Sequence, residues 1–197
     1  MENSNVDKSR RRFLTAAATV VGGAGTVAGA IPFIATMAPS AKTKAVGAPV
    51  EVDISNLQPG ERLIKAWQGK PVWILRRTKE MLEDIASQDA DVRDPASDAS
   101  AQPDYAKNEY RAREDEYLIV LGVCTHLGCS PKFVLKDGDN QPTEDWKGGF
   151  FCPCHGSRFD LAGRVFKGVP APTNLVVPPY KFLSPSLLLI GDDSEAV

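Results

Sequence analysis

The sequence CTHLGC runs from Cys124 to Cys129, and CPCHGS runs from Cys152 to Ser157. These two six-residue stretches hold all four cysteines and both histidines of the 197-residue chain. The first offers Cys124 and His126 as metal ligands, and the second offers Cys152 and His155. Two thiolates and two imidazoles suit either tetrahedral Zn²⁺ or an iron–sulfur centre. Zinc alone needs four ligands, and six candidates are present. A natural use for a surplus pair of cysteines, one per stretch, is a disulfide that ties the two together. Such a bond belongs to an oxidising compartment.

Each stretch must be held by what precedes it. YLIVLGV, Tyr117 to Val123, reads as a buried strand running into Cys124, and GGFFC as a short strand running into Cys152. Upstream, VEVDISNL from Val50 alternates like a strand. ERLIKAW and KPVWILRRT follow as two more, with Gln68-Gly69 as the hairpin turn between them. TKEMLEDIAS has helical spacing at Met81, Leu82 and Ile85, and a candidate N-cap at Thr78. RVFKG, NLVVPP, YKFL and SLLLIG read as short strands, so residues 50–197 form a mainly β head. Ser87 to Glu116 is polar with scattered apolar residues, which predicts a long surface loop or insertion.

The N-terminus is of another kind. Ser9-Arg10-Arg11-Arg12-Phe13-Leu14 resembles the twin-arginine export signal, which serves proteins exported already folded. Residues 1–12 then form a cytoplasmic segment. Residues 13–38 carry no charge and are long enough to cross a hydrocarbon core of about 30 Å. Pro32 is expected to kink this span near its far end. Ala28-Gly29-Ala30 is an A-x-A-like cleavage site, but it lies inside the apolar run, so an uncleaved anchor is expected. Lys8, Arg10, Arg11 and Arg12 flank one end, which puts the N-terminus in the cytoplasm and the head outside. Residues 39–49 are small and polar, as in a flexible linker. A net charge of −2 argues against a nucleic-acid partner.

The two cysteine–histidine stretches resemble the paired motifs of Rieske iron–sulfur proteins, C-T-H-x-G-C and C-P-C-H-G-S. The resemblance implies an antiparallel β-sandwich with a small cluster-binding subdomain, its loops at about 123–172, and one [2Fe–2S] cluster. It implies that Cys124 and Cys152 bind one iron, that His126 and His155 bind the other, and that Cys129 and Cys154 form the disulfide. Leu127 would cap the cluster, and the Ser157 hydroxyl would donate to a cluster sulfur. GVPAP, Gly168 to Pro172, matches a third, shielding loop. Many members carry a tyrosine two residues after that serine. Here the position is Phe159, which cannot donate, so a lower reduction potential is expected.

Anchor, linker and cluster loops together resemble the Rieske subunit of bacterial ubiquinol–cytochrome c reductase. That family implies a quinol–cytochrome c oxidoreductase subunit of the inner membrane, with a periplasmic head. It also implies cytochrome b and c-type cytochrome partners in a dimeric complex, with ubiquinol as reductant and His155 as proton acceptor. Competing readings are the small subunit of an arsenite-oxidase-like molybdoenzyme, a membrane-anchored zinc module, and a photosynthetic bf-type subunit.

Overall fold

The computed structural model describes residues 7–41, 43 and 47–194. The chain divides into two compact units, 1–45 and 46–197. Part of the expected linker, residues 42 and 44–46, lies outside the described residues.

The long helix of the first unit, among its described residues, is α1 (Lys8–Thr36). Asp7 caps it, its carboxylate accepting from Ser9 N at 2.9 Å and Arg10 N at 3.2 Å. The arginine motif is therefore helical, and the helix starts ahead of the apolar run. Thr15, Thr19 and Thr26 each donate their hydroxyl to the carbonyl four residues back, at 2.8 Å. These hydroxyls need no outside partner, which a membrane span requires. The helix continues past Pro32 to Thr36, and it buries none of its residues. Among the described residues it is the one helix long and apolar enough to cross a membrane.

The second unit is built of three three-stranded antiparallel sheets. β1 (Val50–Asp53), β9 (Leu187–Ile190) and β8 (Tyr180–Ser184) form one, in that order. β2 (Arg62–Trp67), β3 (Lys70–Arg76) and β4 (Tyr117–Leu121) form the second. β5 (Lys132–Val134), β6 (Gly149–Cys152) and β7 (Ser157–Phe159) form the third, which carries the second motif. The β2–β3 turn has positive φ at both Gln68 (51°) and Gly69 (72°), the pairing that matches strand twist. α2 (Lys79–Ser87) starts at Thr78, whose side chain accepts from Met81 N. It buries Ile85.

Every residue of β4 is buried, as are Val72 to Leu75 of β3. One apolar core joins all three sheets and includes Cys124 and Cys152. Gly122 follows β4, and a Cβ there would lie 2.2 Å from the Trp73 ring. The indole thus passes against bare backbone and stacks on Phe150 of β6, centroids 4.9 Å apart. The approaches to both motifs are packed on one tryptophan.

Three expectations need correction. β4 ends at Leu121, two residues short of Val123. RVFKG and NLVVPP form no strands; only the bridges Val92–Phe166 and Phe159–Val165 appear there. Their backbone groups bond to loops instead, with Leu121 N donating to Val176 O and Leu175 N to Gly163 O, both at 2.8 Å. The segment from Ser87 to Glu116 lies only partly on the surface. It buries Gln88, Val92, Ser97, Ser100, Ala106, Arg111 and Ala112. Ser100 and Arg111 find carboxylate and carbonyl partners in the interior. Arg111 is fully buried and donates to Leu175 O at 2.6 Å and to Ala162 O and Gly163 O at 3.3 Å.

Candidate metal centre

The two motifs fold into the same local shape. In the first, Gly128 N donates to Cys124 O at 3.0 Å; in the second, Gly156 N donates to Cys152 O at 3.0 Å. Each is a five-residue turn from a cysteine to a glycine in the left-handed region, φ 83° at Gly128 and 77° at Gly156. The first turn is also closed by Cys124 N donating to Cys129 O at 2.7 Å. The second joins β6 to β7, with Cys152 paired to Ser157.

These turns bring the motif residues together. Cys124 and Cys152 are free thiols, both buried. The rings of His126 and His155 lie edge to face, centroids 4.8 Å apart. Cys129 and Cys154 are joined in a disulfide across the two turns. Leu127 is 72% exposed, and His155 is exposed as well. Ser157 is buried, and its Oγ accepts from Ala171 N of the GVPAP loop at 3.1 Å. Since that contact uses an acceptor lone pair, the hydroxyl hydrogen is free to donate elsewhere. Phe159 is fully buried.

The sulfurs of Cys129, Cys152 and Cys154 lie within 4.8 Å of one another. They are not a ligand trio, because two of them are spent in the disulfide. The thiols available to a metal are Cys124 and Cys152, and the same two turns carry the imidazoles of His126 and His155. Burial pushes the Cys152 thiol up, and the backbone N–H groups of Cys154 and His155 pull it down. A bound cation would oppose the burial effect and favour the thiolate, toward which those N–H groups are placed. This donor set fits a two-iron cluster held by two sulfurs and two nitrogens.

Sequence reasoning missed the supports of the turns. Thr125, between Cys124 and His126, donates its hydroxyl to Thr173 O at 2.7 Å. Nothing in its residue type marks it, since the partner is a backbone carbonyl 48 residues away.

Comparison with known proteins agrees with this geometry. Residues 104–181 match the model described as Rieske [2Fe-2S] domain. Residues 1–40 match the one described as Ubiquitinol-cytochrome C reductase Fe-S subunit TAT signal. The chain is 53% identical to the ubiquinol-cytochrome c reductase iron-sulfur subunit of Allochromatium vinosum, over 98% of this chain and 93% of that one. The chain belongs to the family of ubiquinol-cytochrome c reductase iron-sulfur subunits. Other Rieske subunits of this family include that of Blastochloris viridis, 44% identical over 96% of each chain. That of Rhodospirillum rubrum is 44% identical over 94% of this chain and 93% of that one. The molybdoenzyme and zinc readings are not favoured by relatives of this kind. Family membership brings with it a Rieske-type [2Fe–2S] centre and the mainly β Rieske fold.

Proposed function

We propose that this Rieske subunit carries one electron from ubiquinol toward a c-type haem, as part of a ubiquinol–cytochrome c reductase coupled to proton translocation. The observation that carries the reading is the pair of matched turns. They gather two free buried thiols and two imidazoles at an exposed tip and are tied by a disulfide. Cys124 and Cys152 would hold one iron, and His126 and His155 the other. The cluster, when bound, supplies reversible one-electron chemistry.

The chain's own residues do the rest. His155, exposed, has one ring nitrogen for iron and leaves the other to accept a hydrogen bond from a quinol hydroxyl and hold its proton. Leu127 covers the tip from water. Ser157 keeps a hydroxyl hydrogen for a cluster sulfur. The backbone N–H groups of Cys154 and His155 stabilise the Cys152 thiolate.

The helix α1 would anchor the subunit in the bacterial inner membrane, its basic end cytoplasmic and its head periplasmic. Residues 39–49 would let the head travel between a cytochrome b partner, which completes the quinol pocket, and a c-type cytochrome, within a dimeric complex. This subunit alone does not turn over quinol.

The test is EPR of membranes holding the assembled complex. Ubiquinol should produce the reduced Rieske signal, and a quinol-site inhibitor should change its line shape. A Rieske signal indifferent to both would favour the molybdenum-partner reading instead.

A further inference from the structure

Residues 88–103 precede the matched Rieske domain, and the function proposed above uses none of them. We infer that Asp94 and Asn174 are positioning residues that seat the loop Gly168–Pro172, and through it both ligand-bearing turns. The inference rests on the reading that those turns hold the cluster.

The Asp94 carboxylate gathers its own segment into a knot. It accepts from Asp98 N at 2.9 Å, Ala99 N at 3.2 Å, Ser100 N at 2.9 Å and Ser100 Oγ at 2.7 Å. Burial acts to raise its pKa, but the Ser100 hydroxyl and the three N–H groups outweigh it and hold the carboxyl below its usual range. Within the knot Ser97 is fully buried at φ 60°. A non-glycine residue stays in that region only where its surroundings fix it.

The knot presents three groups to Asn174, which is 1% exposed. Asn174 Nδ2 donates to Asp94 O at 3.0 Å and Ser97 Oγ at 3.1 Å, and Asn174 N donates to Ser100 Oγ at 3.2 Å. Asn174 Oδ1 accepts from Val165 N at 2.9 Å. The side-chain amide is thus fully engaged, and a buried network of this kind has one arrangement.

From Asn174 the chain leads directly to both turns. The preceding carbonyl, Thr173 O, receives the Thr125 hydroxyl between Cys124 and His126. Ala171 N, three residues before Asn174, donates to Ser157 Oγ and so directs where that hydroxyl's hydrogen can point. Arg93, next to Asp94, reaches Pro172 O at 3.3 Å and Val169 O at 3.4 Å from outside. Loosening the knot lets the loop drift from Ser157 and Thr125. The Ser157 hydroxyl is then no longer held toward a cluster sulfur, and the reduced form is stabilised less.

The test is redox titration with EPR on the full-length holoprotein in membranes. Asp94→Asn keeps size but turns a donating NH2 toward groups that themselves donate. At a fixed ambient potential the ratio of reduced to oxidised cluster should fall about threefold, with iron content kept and line shape altered. Ser100→Ala should shift the ratio the same way by less. Asp104→Asn, an exposed partner of Lys107 outside the network, should change neither reading. If Asp94→Asn fails to accumulate, Ser100→Ala decides alone. A ratio that is unchanged or rises, with the unmutated line shape, overturns the proposal even where the melting temperature drops, because the segment then only stabilises the fold. Absence of any His-ligated two-iron signal from the unmutated chain would instead overturn the functional reading beneath it.

Discussion

The sheet β2–β3–β4 and the cluster-bearing tip are held by different forces. Val72, Ile74, Leu75, Leu118, Ile119 and Val120 are fully buried, and apolar burial holds them without regard to direction. At the tip, Leu127, Pro153, Cys154 and His155 are exposed. No core can fix side chains that must reach a partner, so the tip relies on directional bonds. These are a disulfide, two closed turns, Thr125 on Thr173 and Ala171 on Ser157. The contrast implies that damage to the base lowers stability and leaves redox properties alone, whereas damage to the tip, its disulfide apart, does the reverse.

Variants can break that division, and the largest effect belongs to the proposed ligands. Cys152→Ser should abolish the cluster, read as loss of iron and acid-labile sulfide from folded protein; a retained cluster would contradict the ligand assignment. Removing the disulfide by Cys129→Ser with Cys154→Ser opens a loop of sequence separation 25. In the chain-entropy picture this costs about 3.5 kcal/mol, measurable by denaturant unfolding. The disulfide is the tip's one strong contribution to stability, so this double variant should move both stability and potential. Leu75→Ala in the base should cost about 3 kcal/mol with the midpoint potential unchanged in protein-film voltammetry. A shifted potential there would show that the two regions are not separable. Phe159→Tyr restores a hydroxyl near the second turn and should raise the potential, with stability little changed; an equal or lower potential would remove the donor argument.

The smallest effect is one of pH. Asp94 has a lowered carboxyl pKa in the fold, so its contribution is complete above its unfolded value, about 3.9. It is lost as pH falls through the lower folded value. Acid unfolding below about pH 4 should therefore be less steep in Asp94→Asn than in the unmutated protein.

Much of this was legible in the sequence where one force dominates. The two cysteine–histidine turns show themselves by residue type and spacing. The β2–β3 hairpin shows itself by alternation around Gln68-Gly69, and α2 by its Thr78 cap and the buried Ile85. The rest depends on partners distant in sequence. β5 and β7 are three residues each, too short for a period to register. RVFKG and NLVVPP look like strands by composition, yet Val165 N is taken by the Asn174 side chain and Val165 O by Arg93 N. The segment after Ser87 reads as solvent-exposed because its residues are polar. Arg77, Arg111 and Arg164 are nonetheless buried, each bonded to carbonyls from other parts of the chain. Asp160 pairs with Arg164 at 2.7 Å with both side chains wholly enclosed. A polar interior held by long-range hydrogen bonds leaves no periodic trace.

The central claim is that the two matched turns hold a two-iron cluster through two thiolates and two imidazoles. Low-temperature EPR of ascorbate-reduced membranes carrying the full chain, with metal analysis of the purified protein, tests it most directly. The expected result is a rhombic signal with an average g clearly below the free-electron value and about two irons per chain. Zinc in place of iron, with no EPR signal from correctly assembled protein, would contradict it.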